Sequence, residues 1–182
     1  MFGYRPEVDF AEVGTIYDAI RYDDPLPLSA VIQKTFFTGI DLAPASLMLQ
    51  EFEHETPRAL MDNVQPPFFS RMAAALAEVE VNYDLILFDC PPAIGYQSMN
   101  AVFAADMLYI PSGPGYWEYD STTSFIGQLA EALEDLAYGF DKTLPTGKIG
   151  LPKTFCELRF LLTRYEPGNA LHLAMFDAFQ KV

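Results

Sequence analysis

Apolar positions along this chain change their spacing several times, and each change predicts an element. Thr15-Ile-Tyr-Asp-Ala-Ile-Arg-Tyr22 sets Ile16, Ala19 and Ile20 on one face behind a capping-type Thr15, which predicts a short helix. Asp23-Asp24-Pro25 ends it, because Pro25 disfavours helix at Asp24. Residues 28–36 predict a further short helix, and Gly39 to Pro44 a short strand stopped by proline. Residues 46–55 predict a helix with Leu47, Leu49 and Phe52 apolar and Glu51, Glu53 and Glu55 in solvent. Pro66 or Pro67 opens the next helix, which runs to about Val81 through Phe69, Met72, Ala73 and Leu76.

The second half alternates more sharply. Tyr83-Asp-Leu-Ile-Leu-Phe-Asp89-Cys-Pro-Pro92 is a continuous apolar run that meets one carboxylate and then two prolines. Such a run predicts a strand over 83–88 buried on both faces, as in parallel sheets. Ser98 to Ala105 predicts a compact helix, and Met107 to Ile110 a second strand ended by Pro111. Ser112-Gly-Pro-Gly115 is a loop, and Asp120 then caps a long helix with Phe125, Ile126, Leu129, Leu133 and Leu136 inward. Residues 139–154 predict a surface connection. Leu158 to Leu162 predicts a third strand, Thr163 to Asn169 a loop, and Ala170 to Val182 the start of a final helix. Strands alternating with helices give an α/β fold, a mostly parallel sheet flanked by helices, as a single domain over 1–182.

That topology gives Asp89 a chemical reading. Ligands of open parallel sheets bind just beyond the carboxyl ends of the strands. A carboxylate there, with Pro91 and Pro92 fixing the loop behind it, suits a hydrated Mg²⁺ beside nucleotide phosphates. Asp before Pro is also ordinary turn chemistry. The ten residues alone leave both readings open.

Composition narrows the function classes. The formal net charge is −14 and the pI near 4.3, with 11 Lys and Arg scattered along the chain. Affinity for a phosphate backbone needs clustered basic residues, so this chain alone is not a strong nucleic-acid binder. Cys90 and Cys156 make neither a disulfide framework nor a zinc spacing, and His54 and His172 do not complete one. Cys90 is expected as a small packed thiol, in a reducing cytoplasm. There is no signal peptide, and no apolar run approaches the ~18 residues of a membrane span. Asp23–Asp24 reads as a solvated helix end, and Tyr116 and Trp117 as loop packing before base stacking. The chain has no Gly-x-Ser-x-Gly elbow and no His-Glu-x-x-His.

Four segments in order then resemble one family. Gly39-Ile-Asp-Leu-Ala-Pro-Ala45 resembles the family's "glDLiPan" strand, and Tyr83 to Pro92 its Walker B strand with a DcPP switch. Asn100, Ala101, Ala104, Ala105, Asp106 and Ile110-Pro111 follow its "Nal-aAd-vliP" pattern. Arg159-Phe-Leu-Leu-Thr-Arg-Tyr-Glu-Pro167 resembles its late strand and loop beside the nucleotide base. The family is that of the ParA partition ATPases, in particular the plasmid-type members and the RepA proteins of repABC replicons.

The resemblance implies a deviant Walker A P-loop NTPase-like fold and an activity, ATP hydrolysis driving plasmid or chromosome segregation. It implies ATP and Mg²⁺ as cofactors, with Asp89 the catalytic carboxylate that holds the metal through a water. Pro91 and Pro92 would belong to a switch loop over Pro91–Gly95 that senses the γ-phosphate. Thr163, Arg164 and Tyr165, with Pro111 and Gly113, would lie near the adenine. A homodimer, non-specific DNA and a ParB-like centromere-binding protein would be the partners, in the cytoplasm on the nucleoid and with no membrane.

Two departures qualify it. The family's KGGxGKT loop and Asp-Pro-Gln motif are not in the sequence, and Gly147-Lys148 is followed by Ile149, which fails the P-loop pattern. The expectation is a chain incomplete at both ends, without the P-loop strand and the C-terminal elements. The strands 83–88 and 106–110 are then expected either to close up and pair or to leave the chain marginal and prone to self-association. A truncated, catalytically inactive interaction module is the alternative function. A phosphoacceptor receiver domain fits poorly, since Asp23–Asp24 follow a helix where a receiver needs an acidic pair after a strand.

Overall fold

A computed structural model of the chain describes residues 4, 6–10, 13–143 and 155–181. They pack as two compact units, Met1–Ala104 and Ala105–Val182.

The first unit is mostly helical. Helix α1 (Pro6–Asp9) precedes α2 (Ile16–Ile20), whose start is set as the sequence predicts. Asp18 Oδ2 accepts from both the backbone N–H of Thr15 (2.8 Å) and its hydroxyl (3.0 Å), so the orphan donor at the cap is satisfied. Helix α3 (Leu28–Val31) is shorter than the expected 28–36, because Gln33–Lys34 leaves it to form strand β1. Strand β1 pairs antiparallel with β2 (Asp41–Leu42), and Lys34 Nζ meets Asp41 Oδ2 across the ladder at 2.7 Å.

Helix α4 (Leu49–Met61) runs past the predicted end and through Pro57. Its apolar stripe continues to Thr56 and Ala59, both buried, and that packing outweighs the N–H that proline lacks. Leu47 lies before the helix and faces solvent. The long helix expected over 66–81 is instead a 3₁₀ turn (Phe68–Ser70), α5 (Arg71–Leu76) and another 3₁₀ turn (Glu80–Asn82). Helix α6 (Tyr96–Ala104) closes the unit and packs on α4 and α5. Phe52, Ile20 and Val31 are fully buried at its centre, with Phe52 stacked on Tyr22 at 5.3 Å.

Arg71 lies inside this core at 5% exposure. Among the described residues no carboxylate pairs with it. Its guanidinium donates to the carbonyls of Ile20, Arg21 and Pro66 and sits 4.6 Å from the centre of the Tyr22 ring.

Tyr17 adds a pH-sensitive contact between α2 and α4. Its hydroxyl donates to Glu55 Oε1 at 2.9 Å. Burial first, and then the bond to the Glu55 carboxylate, push its pKa up to about 12. The fold therefore favours the neutral phenol. This stabilisation is complete below the ordinary tyrosine value of about 10 and is lost as pH rises through about 12. Tyr17→Phe is expected to remove the stabilisation and flatten the fall in stability over that window. Urea midpoints at stepped alkaline pH test it, and an unchanged slope would refute the assignment.

The second unit carries the parallel sheet. Strand β3 (Met107–Ser112) and strand β4 (Glu157–Leu162) run in register from Met107 opposite Glu157 to Ser112 opposite Leu162. Helix α7 (Tyr116–Thr143) starts one turn earlier than expected, so Asp120 is an interior residue and not its cap. On the inner face Leu129 is buried and Phe125, Ile126 and Leu133 are partly covered; the side chain of Leu136 lies outside the described residues. The connection predicted over 139–154 is helical to Thr143, and 144–154 lie outside the described residues. Helix α8 (Ala170–Phe179) is capped by Asn169, whose Oδ1 accepts from the Leu171 N–H at 3.0 Å.

The segment 83–88 departs most from expectation. It has no regular secondary structure and makes no ladder with any described residue. Leu85 is 61% exposed and Leu87 81%, while Ile86 and Phe88 are half-covered, so one face is open where two were expected to be buried. A strand becomes buried on both faces only when neighbouring strands take its N–H and C=O groups. Strand β3 takes β4 as its partner. No described helix is long and apolar enough to cross a membrane.

Candidate functional site

Asp89 ends the apolar run with its side chain in solvent. Cys90, Pro91, Pro92 and Ala93 are exposed as well, so Cys90 is not the packed thiol that a buried strand would give. The loop turns back at once, with the Ala93 N–H donating to the Pro91 carbonyl at 2.8 Å. It ends at Gly95, whose carbonyl accepts from the Met99 N–H at 2.9 Å and starts α6.

The far end of this loop is held by a residue that the sequence reading placed in solvent. Glu53 of α4 accepts from the backbone N–H of Tyr96 (3.1 Å, to Oε2) and of Gln97 (2.7 Å, to Oε1). These are first-turn donors of α6 with no partner inside their own helix. A carboxylate there also meets the positive end of the helix dipole. The signal available in the sequence was position: Glu53 follows Phe52 and precedes Thr56 by three, which sets it at the rim of the buried stripe.

In the second unit the carboxyl ends of β3 and β4 bring together four of the five residues expected near a base. Pro111 stands opposite Leu161 in the ladder. Thr163 donates to the Ser112 carbonyl from its N–H (2.8 Å) and its hydroxyl (3.1 Å), carrying the pairing one residue beyond the strands. Arg164 holds a left-handed backbone at φ 56°, an unfavourable conformation for a side chain of its kind. Its Nη2 reaches Glu118 Oε1 at 3.4 Å over Gly113, where a Cβ would stand 2.7 Å from that nitrogen. The absent side chain at Gly113 is what lets the pair close. Tyr165 is set apart from these, its ring 6.0 Å from Phe176 and 6.2 Å from His172. The Nδ1 of His172 accepts from the Glu166 N–H at 3.1 Å.

Ser112 and Thr122 were not anticipated. Both are buried, and the Thr122 hydroxyl donates to Ser112 Oγ at 2.8 Å and lies 2.7 Å from the Glu118 carbonyl. They tie the end of β3 to the first turns of α7. A recess lined by Ser112, Phe160, Leu162, Phe176, Phe179 and Gln180 lies beside them. Tyr116 and Trp117 are exposed in the first turn of α7 and pack edge-to-face on each other, 5.9 Å apart.

The donor set bears on the expected metal. Among the described residues no three His, Cys, Asp or Glu side chains are grouped to hold an ion. Asp89 is a single exposed oxygen donor. Mg²⁺ keeps several waters and takes one or two carboxylates, so this arrangement fits a water-mediated hold and not a closed protein cage.

The family model described as an AAA domain matches residues 7–140. A putative replication protein A of Sinorhizobium fredii is 36% identical over 184 residues, covering 99% of this chain and 42% of that protein. The chromosome partitioning protein ParA of Myxococcus xanthus is 29% identical over 131 residues, covering 72% of this chain and 42% of that protein. Among solved structures, cobyrinic acid a,c-diamide synthase of Mycobacterium smegmatis with an ATP analogue and magnesium superposes with TM-score 0.71. It has 19% identity and covers 99% of this chain and 63% of that one, a likeness of fold. The chain thus spans about two fifths of the length of the curated relatives it matches. With the four sequence segments and the parallel α/β sheet already in place, these matches show that the chain belongs to the ParA family of partition ATPases.

Proposed function

We propose that this chain is part of a plasmid-type partition ATPase, in which Asp89 holds a hydrated Mg²⁺ beside the phosphates of ATP. The observation that supports it best is the presentation of Asp89. The carboxylate is in solvent at the end of the apolar run, and the two prolines and α6 follow at once.

The chemistry is phosphoryl transfer to water, which depends on positioning and charge more than on a protein nucleophile. When bound, Mg²⁺ neutralises charge on the phosphate oxygens. Asp89 would accept hydrogen bonds from the water ligands of the metal, and Pro91–Gly95 would follow the γ-phosphate. Thr163 and Arg164, with Pro111 and Gly113, would border the adenine, and Tyr165 would contribute its ring. A nucleotide-bound homodimer would engage DNA non-specifically, and a ParB-like protein would stimulate hydrolysis, in the cytoplasm on the nucleoid.

A second reading is a non-catalytic relative that keeps partner or dimer surfaces. It is favoured by one observation, that the sequence holds no KGGxGKT loop to cradle phosphates. The intact mass of the protein made from its native locus separates the two. A mass well above 20.4 kDa supports the ATPase, and a mass of 20.4 kDa supports the module.

A further inference from the structure

The loop that starts at Asp89 ends against a different helix. Its last residue is Gly95, and the next two backbone N–H groups, those of Tyr96 and Gln97, both point at the Glu53 carboxylate. A Cβ built on Gly95 would lie 2.8 Å from Glu53 Oε1 and 3.2 Å from its carboxyl carbon. Glycine is therefore the residue that lets the carboxylate approach this closely. Glu53 itself stands on firm ground. One residue before it Phe52 is fully buried, and three after it Thr56 is fully buried, with its hydroxyl 2.6 Å from both the Phe52 carbonyl and the Tyr22 hydroxyl.

Hydrogen bonds to an ionised acceptor are about twice as strong as neutral ones. Two of them on one side chain fix both the position and the direction of the helix start. Between this clamp and Asp89 there are six residues, Cys90–Gly95, two of them proline, with one internal turn. A short stiff tether transmits the position of its fixed end to its free end.

We infer that Glu53 is a positioning residue for the Asp89 loop: α4 holds the downstream end through this carboxylate, and the placement of Ala93–Gly95 and of Asp89 depends on it. The link to metal and nucleotide rests on the function proposed above, whereas the anchor itself does not.

The test uses the whole chain and three variants, Glu53→Ala, Glu53→Gln and Gly95→Ala, read by amide hydrogen exchange. In Glu53→Ala, exchange at Ala93, Ile94, Gly95, Tyr96 and Gln97 should rise about ten-fold, the loss of roughly one charge-assisted bond. Phe52, Thr56 and Val102–Ala104 should keep their protection, which shows that α4 and the body of α6 are still folded. Glu53→Gln keeps the reach and one acceptor oxygen, so it should restore part of the protection. Gly95→Ala pushes a methyl group into the carboxylate and should reproduce Glu53→Ala without changing any charge. The double variant Glu53→Ala/Gly95→Ala should add nothing further.

A rise confined to Tyr96 and Gln97, with Ala93–Gly95 at the unaltered rate, would overturn the proposal, because Glu53 would then only cap α6. Mg²⁺–ATP binding is the second readout, with an affinity loss of about ten-fold expected in Glu53→Ala and partial recovery in Glu53→Gln. Unaltered affinity in Glu53→Ala would also overturn it. If the unmodified chain does not bind Mg²⁺–ATP, the nucleotide reading of the loop fails, and the exchange pattern alone decides whether the anchor stands.

Discussion

Asp89→Ala is expected to lower the Mg²⁺-dependent ATP turnover of the protein from its native locus by about 100-fold or more, the scale of losing one preorganised electrostatic group. The argument is one of location and charge. Asp89 is the acidic residue at the end of the apolar run, and its carboxylate is in solvent with room for a metal and its waters. Its removal should cost the fold little for the same reason. Asp89→Asn keeps the shape and removes the charge, so it should lose nearly as much turnover if the carboxylate orders metal-bound water. Turnover assays across Mg²⁺ concentrations, with circular dichroism as the control for folding, decide the matter. Either variant turning over ATP at the unaltered rate would remove Asp89 from the mechanism.

Arg71→Ala is expected to destabilise the first unit by about 3 kcal/mol, from one buried and two partly buried carbonyls that lose their donor and from the lost cover on Tyr22. Arg71 is 5% exposed, and its fork serves Ile20, Arg21 and Pro66 while its face covers Tyr22. Two segments thus converge on one planar group: the end of α2 with the residues that follow it, and Pro66 ahead of the 3₁₀ turn. Arg71→Lys should not rescue, since an ammonium on a flexible stem cannot reproduce the planar fork or its contact with the ring. Urea denaturation followed by far-ultraviolet circular dichroism measures both variants. A lysine variant as stable as the parent chain would show that charge, and not the fork geometry, is what matters.

Arg71 also shows where the sequence stopped being legible. Its position in Ser70-Arg-Met72 looks like a helical surface residue, and no periodicity marks a cation whose partners are carbonyls some 50 residues away in the chain. Local rules worked where local chemistry decides. Thr15 starts α2 with Asp18 and β4 begins within a residue of its apolar run, while β3 starts where expected but runs through Pro111, its expected stop, to Ser112. They failed where tertiary pairing decides: 83–88 has the composition of a central strand but makes no ladder with any described residue. Pro66 and Pro67 signal the start of a helix, yet the packing of Phe68, Met72 and Leu76 favours short turns over one continuous rod.

The candidate site divides along the same line. Pro111, Gly113, Thr163 and Arg164 were named by the family resemblance and not by any run or spacing, and they meet because β3 and β4 are in register. Glu53 and Glu118 were hidden because a glutamate on a helix is solvated by default. What gave each its task was a glycine elsewhere, Gly95 for one and Gly113 for the other. A pattern in one segment does not carry that information.

Trp117 is the chain's single tryptophan, and it sits 78% exposed at the start of α7. Its indole already sees water in the folded state, so its emission will shift little when the protein unfolds. What shift there is will report on the second unit, far in sequence from Arg71 and Phe52. A fluorescence melt of this protein would therefore look featureless while its helical core was coming apart, and the tyrosine band is the optical probe that will register the loss.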